Sequence, residues 1–69
     1  MITAEQIQRK IAEAIEQSDR TQSDLAKQIG VSQSEISHYI KGDRAPALDT
    51  LANLCKVLDV DVNDIFCLR

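Results

Sequence analysis

A chain of 69 residues with eight Lys and Arg against eleven Asp and Glu carries a net charge of −3. That length allows one domain spanning 1–69, with a core near the lower limit for independent folding. No apolar run is long enough to cross a bilayer or form a signal-peptide core, which excludes a membrane partner. The two cysteines, Cys55 and Cys67, sit in apolar helical settings without metal-ligand spacing. They read as buried or half-buried thiols in a reducing cytoplasm rather than as a disulfide framework. Only two glycines and one proline interrupt a sequence rich in Leu, Ile and Ala, so the expected fold class is all-α, a compact five-helix bundle.

Helix 1 opens at Thr3, with Gln6 at capping-box spacing, and carries Ile7, Ile11 and Ile15 at four-residue steps. It fades around Gln17 to Arg20. Helix 2 is capped by Thr21, with Asp24 at its third position, and buries Leu25, Ala26 and Ile29. Gly30 suits the left-handed residue that ends a helix. Val31 plugs the turn, and Ser32 with Glu35 forms the next capping box. Helix 3 ends at Lys41-Gly42, and Asp43-Arg44-Ala45-Pro46 is a turn with Pro46 at the first position of helix 4. Leu48, Leu51, Leu54, Cys55 and Leu58 then form an apolar stripe. Asp61 with Asp64 caps a C-terminal helix over about 61–68, which carries Ile65 and Phe66.

Helix 3 divides into two faces. At ~100° per residue, Ile36, Tyr39 and Ile40 fall on one side, and Gln33, Ser34, Ser37, His38 and Lys41 on the other. The second face holds amides, hydroxyls, an imidazole and an ammonium, and no carboxylate. Such side chains read base edges and phosphates in a major groove, and the segment from about 21 to 41 is expected to be a helix-turn-helix. The net negative charge opposes this, but its distribution does not. Between Arg20 and Arg44 the cations Arg20, Lys27, Lys41 and Arg44 outnumber Asp24, Glu35 and Asp43, and phosphate contact depends on the local field.

In the order Thr21-Gln22, Leu25-Ala26, Gly30-Val31-Ser32, Ile36-Ser37, Gly42, Pro46, Leu51, Leu58 and Val60, the chain resembles the lambda-repressor/Cro-like helix-turn-helix regulators from about Ile7 to Phe66. The resemblance implies that the second helix of the motif lies in the major groove while the first crosses the backbone. It assigns base reading to Gln33, Ser34, Ser37 and His38. It places Gln22, Ser32, Lys41 and Arg44 at phosphates, with Gln22 also bracing Gln33. The sequence departs from the pattern in two places. No arginine stands on the exposed face of helix 3 to read guanine, and Ile40 stands where many relatives carry glutamate.

The function implied is sequence-specific binding of double-stranded DNA by a small phage- or plasmid-type repressor that occupies an operator. One motif contacts few base pairs, so a homodimer on a pseudo-palindromic operator is expected, with Ile65, Phe66 and Leu68 at the dimer interface. The alternative is a protein-binding module of the same fold, antitoxin-like or an adaptor, whose acidic surface meets a basic partner. No nucleophile–base constellation, paired catalytic carboxylates or phosphate-cradling glycine loop is present, so no enzyme is expected. No metal, cofactor or small-molecule ligand is expected either. The sequence offers His38 no orienting partner.

Overall fold

The computed structural model describes Met1–Arg69 and consists of five helices with no strand. The first three helices each start on a side-chain cap. In α1 (Ala4–Gln17) the capping box is complete: Thr3 Oγ1 accepts from the Gln6 N–H at 3.2 Å and Gln6 Oε1 accepts from the Thr3 N–H at 2.9 Å. In α2 (Gln22–Ile29) Thr21 Oγ1 accepts from the Asp24 N–H, and in α3 (Gln33–Lys41) Ser32 Oγ accepts from the Glu35 N–H, both at 3.1 Å. Each bond satisfies a donor that the first turn of a helix leaves unpaired.

Gly30 ends α2 at φ +78, as its place in the sequence predicts, and the Gly30 and Val31 N–H groups both donate to the Ala26 carbonyl. Gly42 ends α3 in the same way at φ +80. The short turn between α2 and α3 therefore rests on a left-handed glycine followed at once by a side-chain cap. Together they fix where the second helix departs.

The core is aliphatic. Ile11 and Ile15 of α1, Leu25 and Ala26 of α2, Ile36 and Tyr39 of α3, and Leu51, Leu54 and Cys55 of α4 (Leu48–Leu58) form one buried cluster that Ile65 completes. Ile36 is wholly inaccessible to solvent. Ile7, Ile29 and Ile40 pack against this cluster while remaining partly exposed. For Ile29 that is less burial than its spacing suggests, because it stands at the last turn of its helix.

Helix 4 departs from expectation at its start. The proline does not occupy the first helical position: Ala47 is the N-cap, without a side-chain cap bond, and Leu48 is the first helical residue. Leu48 is 85% exposed and does not belong to the core stripe. Helical side chains lean toward the N-terminus, so one at the first position projects past the helix end, where no element covers it. The stripe begins at Leu51. At its far end α4 stops on Asp59, a non-glycine residue at φ +55.

The last helix is also shorter than the sequence suggests. α5 covers Val62–Ile65 only. Cys67 turns left-handed at φ +59, and the Leu68 N–H donates to the Asn63 carbonyl at 2.8 Å, closing the chain end. Cys67 is therefore half-buried in a terminal turn and not in a helix.

Candidate nucleic-acid interface

α3 carries the candidate site, and its two faces separate as its periodicity predicts. Ile36 and Tyr39 anchor it in the core, with Ile40 packed at the edge. Burial pushes the Tyr39 hydroxyl above its ordinary pKa, and the nearby Glu35 carboxylate adds to the effect. On the outer side Gln33, Ser34 and Lys41 are exposed, and Ser37 and His38 are half-exposed. Gln22 and Ser32 are exposed at the starts of α2 and α3, and Arg44 is exposed in the turn after α3.

Most of these side chains are uncommitted. The side-chain hydrogen bonds of this region join Thr21 to Asp24, Asp24 to Gln28, Ser32 to Glu35, His38 to Asp43 and Arg44 to Glu35. Gln22, Gln33, Ser34, Ser37 and Lys41 take part in none of them. On α3, Gln33, Ser34, Ser37 and Lys41 therefore keep their donors and acceptors free for an external ligand. No hydrogen bond joins Gln22 to Gln33 in the free chain.

Three side chains are engaged in ways their spacing does not announce. Glu35 does not complete a capping box with Ser32; its carboxylate pairs with the Arg44 guanidinium instead. This pair ties the turn after α3 back to the first turn of the helix. Arg44 keeps only the donors that Glu35 leaves, although its side chain is 56% exposed. His38 does have an orienting partner: its Nδ1 lies 2.9 Å from Asp43 Oδ1. The signal for this contact was present in the sequence as an acid directly after a helix-ending glycine, five residues beyond the histidine. A search confined to helical spacings passes over it, because the glycine folds the chain back.

The cations from Arg20 to Arg44 divide accordingly. Arg20 pairs with Asp24 at 3.6 Å and Arg44 with Glu35, whereas Lys27 and Lys41 make no ion pair. Lys41 lies in the last turn of α3, where the helix dipole favours a positive charge.

The C-terminal residues assigned to a dimer face separate from one another. Ile65 is 4% exposed and closes the monomer's own core between α1 and α4, so it is not available to a second copy. α5 packs on α1, and this seats Ile65 among Ile11, Leu54 and Cys55. Phe66 is half-buried against the same cluster, and Leu68 is 65% exposed.

Residues 11–65 match the family model described as helix-turn-helix. The chain belongs to the helix-turn-helix family. It is thereby a DNA-binding transcriptional regulator. Two solved structures share the fold. One is the solution structure of the SOS-response transcriptional repressor LexA from Eubacterium rectale, at 24% identity and a TM-score of 0.78, covering 91% of this chain and 67% of that one. The other is the crystal structure of the restriction-modification controller protein C.AhdI from Aeromonas hydrophila, at 21% identity and a TM-score of 0.74, covering 91% of this chain and 96% of that one. At these identities the likeness is one of fold. No curated protein matches the sequence.

Proposed function

We propose that this helix-turn-helix protein is a small repressor of the phage or plasmid kind that acts in the cytoplasm by occupying a pseudo-palindromic operator as a homodimer. α3 of each subunit lies in the major groove. Gln33, Ser34, Ser37 and His38 face base edges, and Gln22, Ser32, Lys41 and Arg44 meet phosphates. The mechanism is steric and makes or breaks no bond. The observation that carries it is the outer face of α3, whose Gln33, Ser34 and Ser37 have no internal partner while Ile36 and Tyr39 lock the opposite face into the core. A rigid helix that presents unsatisfied amides and hydroxyls suits direct readout; Gln33 pairs bidentately with adenine N6 and N7, and serines accept several bases.

Phosphate contact has fewer cations behind it than composition suggests. Lys41 supplies its whole charge, whereas Arg44 shares its own with Glu35. Backbone N–H groups at the starts of α2 and α3 add donors. The salt dependence per monomer is accordingly modest, and useful affinity comes from joining two half-sites. The dimer face is centred on Leu68 and the exposed side of Phe66, with the 47% exposed Val62 beside them on α5.

The test separates readers from positioners. Gln33→Ala removes discrimination at one base position per half-site, costing about 1–3 kcal/mol against the preferred sequence. Lys41→Ala weakens all sequences alike and lowers the salt slope by about one per monomer. Titrations of both variants against preferred and scrambled duplexes at two salt concentrations distinguish these outcomes. If the two variants lose specific and nonspecific binding in the same proportion, the division of roles is wrong.

A further inference from the structure

The chain has one histidine, and its contact with Asp43 lies outside everything assigned to the site so far. The backbone builds this contact. α3 ends on Gly42 at φ +80, a conformation that side-chain-bearing residues seldom adopt, and the reversal brings Asp43 Oδ1 to 2.9 Å from His38 Nδ1. The position is unfavourable for a carboxylate in two respects. It opposes the negative end of the α3 dipole, and it repels phosphates beside the face that meets DNA. Of the other charges nearby, Glu35 and Arg44 pair with each other, and Lys41 acts on Asp43 only through its field.

The hydrogen bond from His38 holds the Asp43 carboxyl below its ordinary pKa. Asp43 is therefore ionised at neutral pH and can only accept. Nδ1 must be the donor, and in a neutral ring that uses its only N–H. Nε2 remains as a bare acceptor on a side chain that is 35% exposed.

We infer that Asp43 is a positioning residue for sequence readout: it fixes His38 as the Nδ1–H tautomer and turns Nε2 toward an exocyclic amino group in the major groove, cytosine N4 or adenine N6. Guanine and thymine present acceptors at the corresponding edges and give a lone pair no partner. The inference rests on the proposal that α3 reads base edges, and it adds the class of base that His38 selects.

The experiment has two arms, both at about pH 8.5. In the first, the long-range ¹H–¹⁵N spectrum of the free, histidine-labelled chain gives one imidazole pattern. The Nδ1–H tautomer is expected for the wild type and the Nε2–H tautomer for Asp43→Ala. In the second, the wild type, Asp43→Ala, His38→Ala and the double variant are titrated against a duplex selected by the wild type from a random pool. Single-base changes are then made at the position where His38→Ala relaxes selection.

Asp43→Ala should tighten binding to all sequences by removing a negative charge, yet lower discrimination at that position about three- to tenfold, the worth of one hydrogen bond. The double variant should lose no more than His38→Ala alone. An Nε2–H wild type overturns the inference, as does discrimination that Asp43→Ala leaves unchanged, or a preference for guanine or thymine at that position. If the pool yields no preferred duplex, the DNA-reading proposal has failed as well; if it yields one and Asp43→Ala leaves discrimination intact, only the role of Asp43 has failed.

Discussion

Ile36→Ala probes the residue that holds the reading helix in place. Ile36 has no solvent exposure and sits in the middle of the buried cluster. The substitution deletes three carbons, and at about 0.8 kcal/mol per buried methylene the lost transfer energy alone is ~2.4 kcal/mol. Other members of the cluster, Leu25, Tyr39 and Leu54 among them, are themselves almost fully buried, so the packing closes only partly over the gap. The cavity term therefore carries the cost toward the upper half of the usual range of about 2–5 kcal/mol. A domain of this length has about 3.5–10 kcal/mol in all at typical values per residue. The variant should thus lose a third or more of its stability, and at the low end of that range it would be largely unfolded at 25 °C. Urea titration followed by circular dichroism measures the loss as a lower midpoint at unchanged m. Ile36→Val, which removes one carbon, should cost about 0.5–1.5 kcal/mol. A loss below about 1 kcal/mol for Ile36→Ala, where core truncations cost at least twice that, would refute the assignment of Ile36 as the anchor of α3.

Three further outcomes are expected. Leu51→Ala should cost about 2–5 kcal/mol in the same assay, whereas Leu48→Ala, at an exposed first helical position, should change stability by no more than about 0.5 kcal/mol. Leu68→Ser should leave a folded monomer by analytical ultracentrifugation and circular dichroism, while Ile65→Ala should destabilise the monomer itself, because Ile65 is buried in the core and Leu68 is exposed. Asp43 has its pKa lowered in the folded chain, so its stabilising contribution is present above the ordinary carboxylate value and is lost as pH falls through the lowered one. Urea midpoints between about pH 2 and 6 should therefore fall with acid more steeply for the wild type than for Asp43→Asn.

Helix starts and stops were legible because each depends on a few adjacent residues. Thr3, Thr21 and Ser32 cap the helices they precede, and Gly30 takes positive φ where a helix must end. The two faces of α3 were legible for the same reason, since four-residue periodicity decides them. What spacing could not supply was the fate of side chains that leave their own helix. Glu35 and Arg44 meet across the Gly42 turn, and His38 and Asp43 meet across the same turn. Those contacts depend on how the chain reverses, which no helical repeat encodes.

The ends of the later helices were misplaced for a related reason. Periodicity does not reveal that the helix begins at Leu48 rather than at Pro46, or that Cys67 adopts the left-handed turn usually given to glycine. Apolar character alone likewise could not distinguish Ile65, which α1 covers, from Leu68, which nothing in the chain covers. Both are aliphatic residues near the chain end, and only packing separates them.

Selection of bound sequences from a random duplex pool at low and physiological salt decides whether α3 reads double-stranded DNA as one half of a two-fold pair. Enrichment of a pseudo-palindrome whose half-sites lie about one helical turn apart is expected, carrying an adenine contact that disappears with Gln33→Ala. Affinity should fall with salt at a slope set by a few phosphate contacts per subunit. Enrichment of an undivided, asymmetric site would contradict the dimer, and no enrichment at either salt concentration would contradict the assignment of α3 as a reader of DNA.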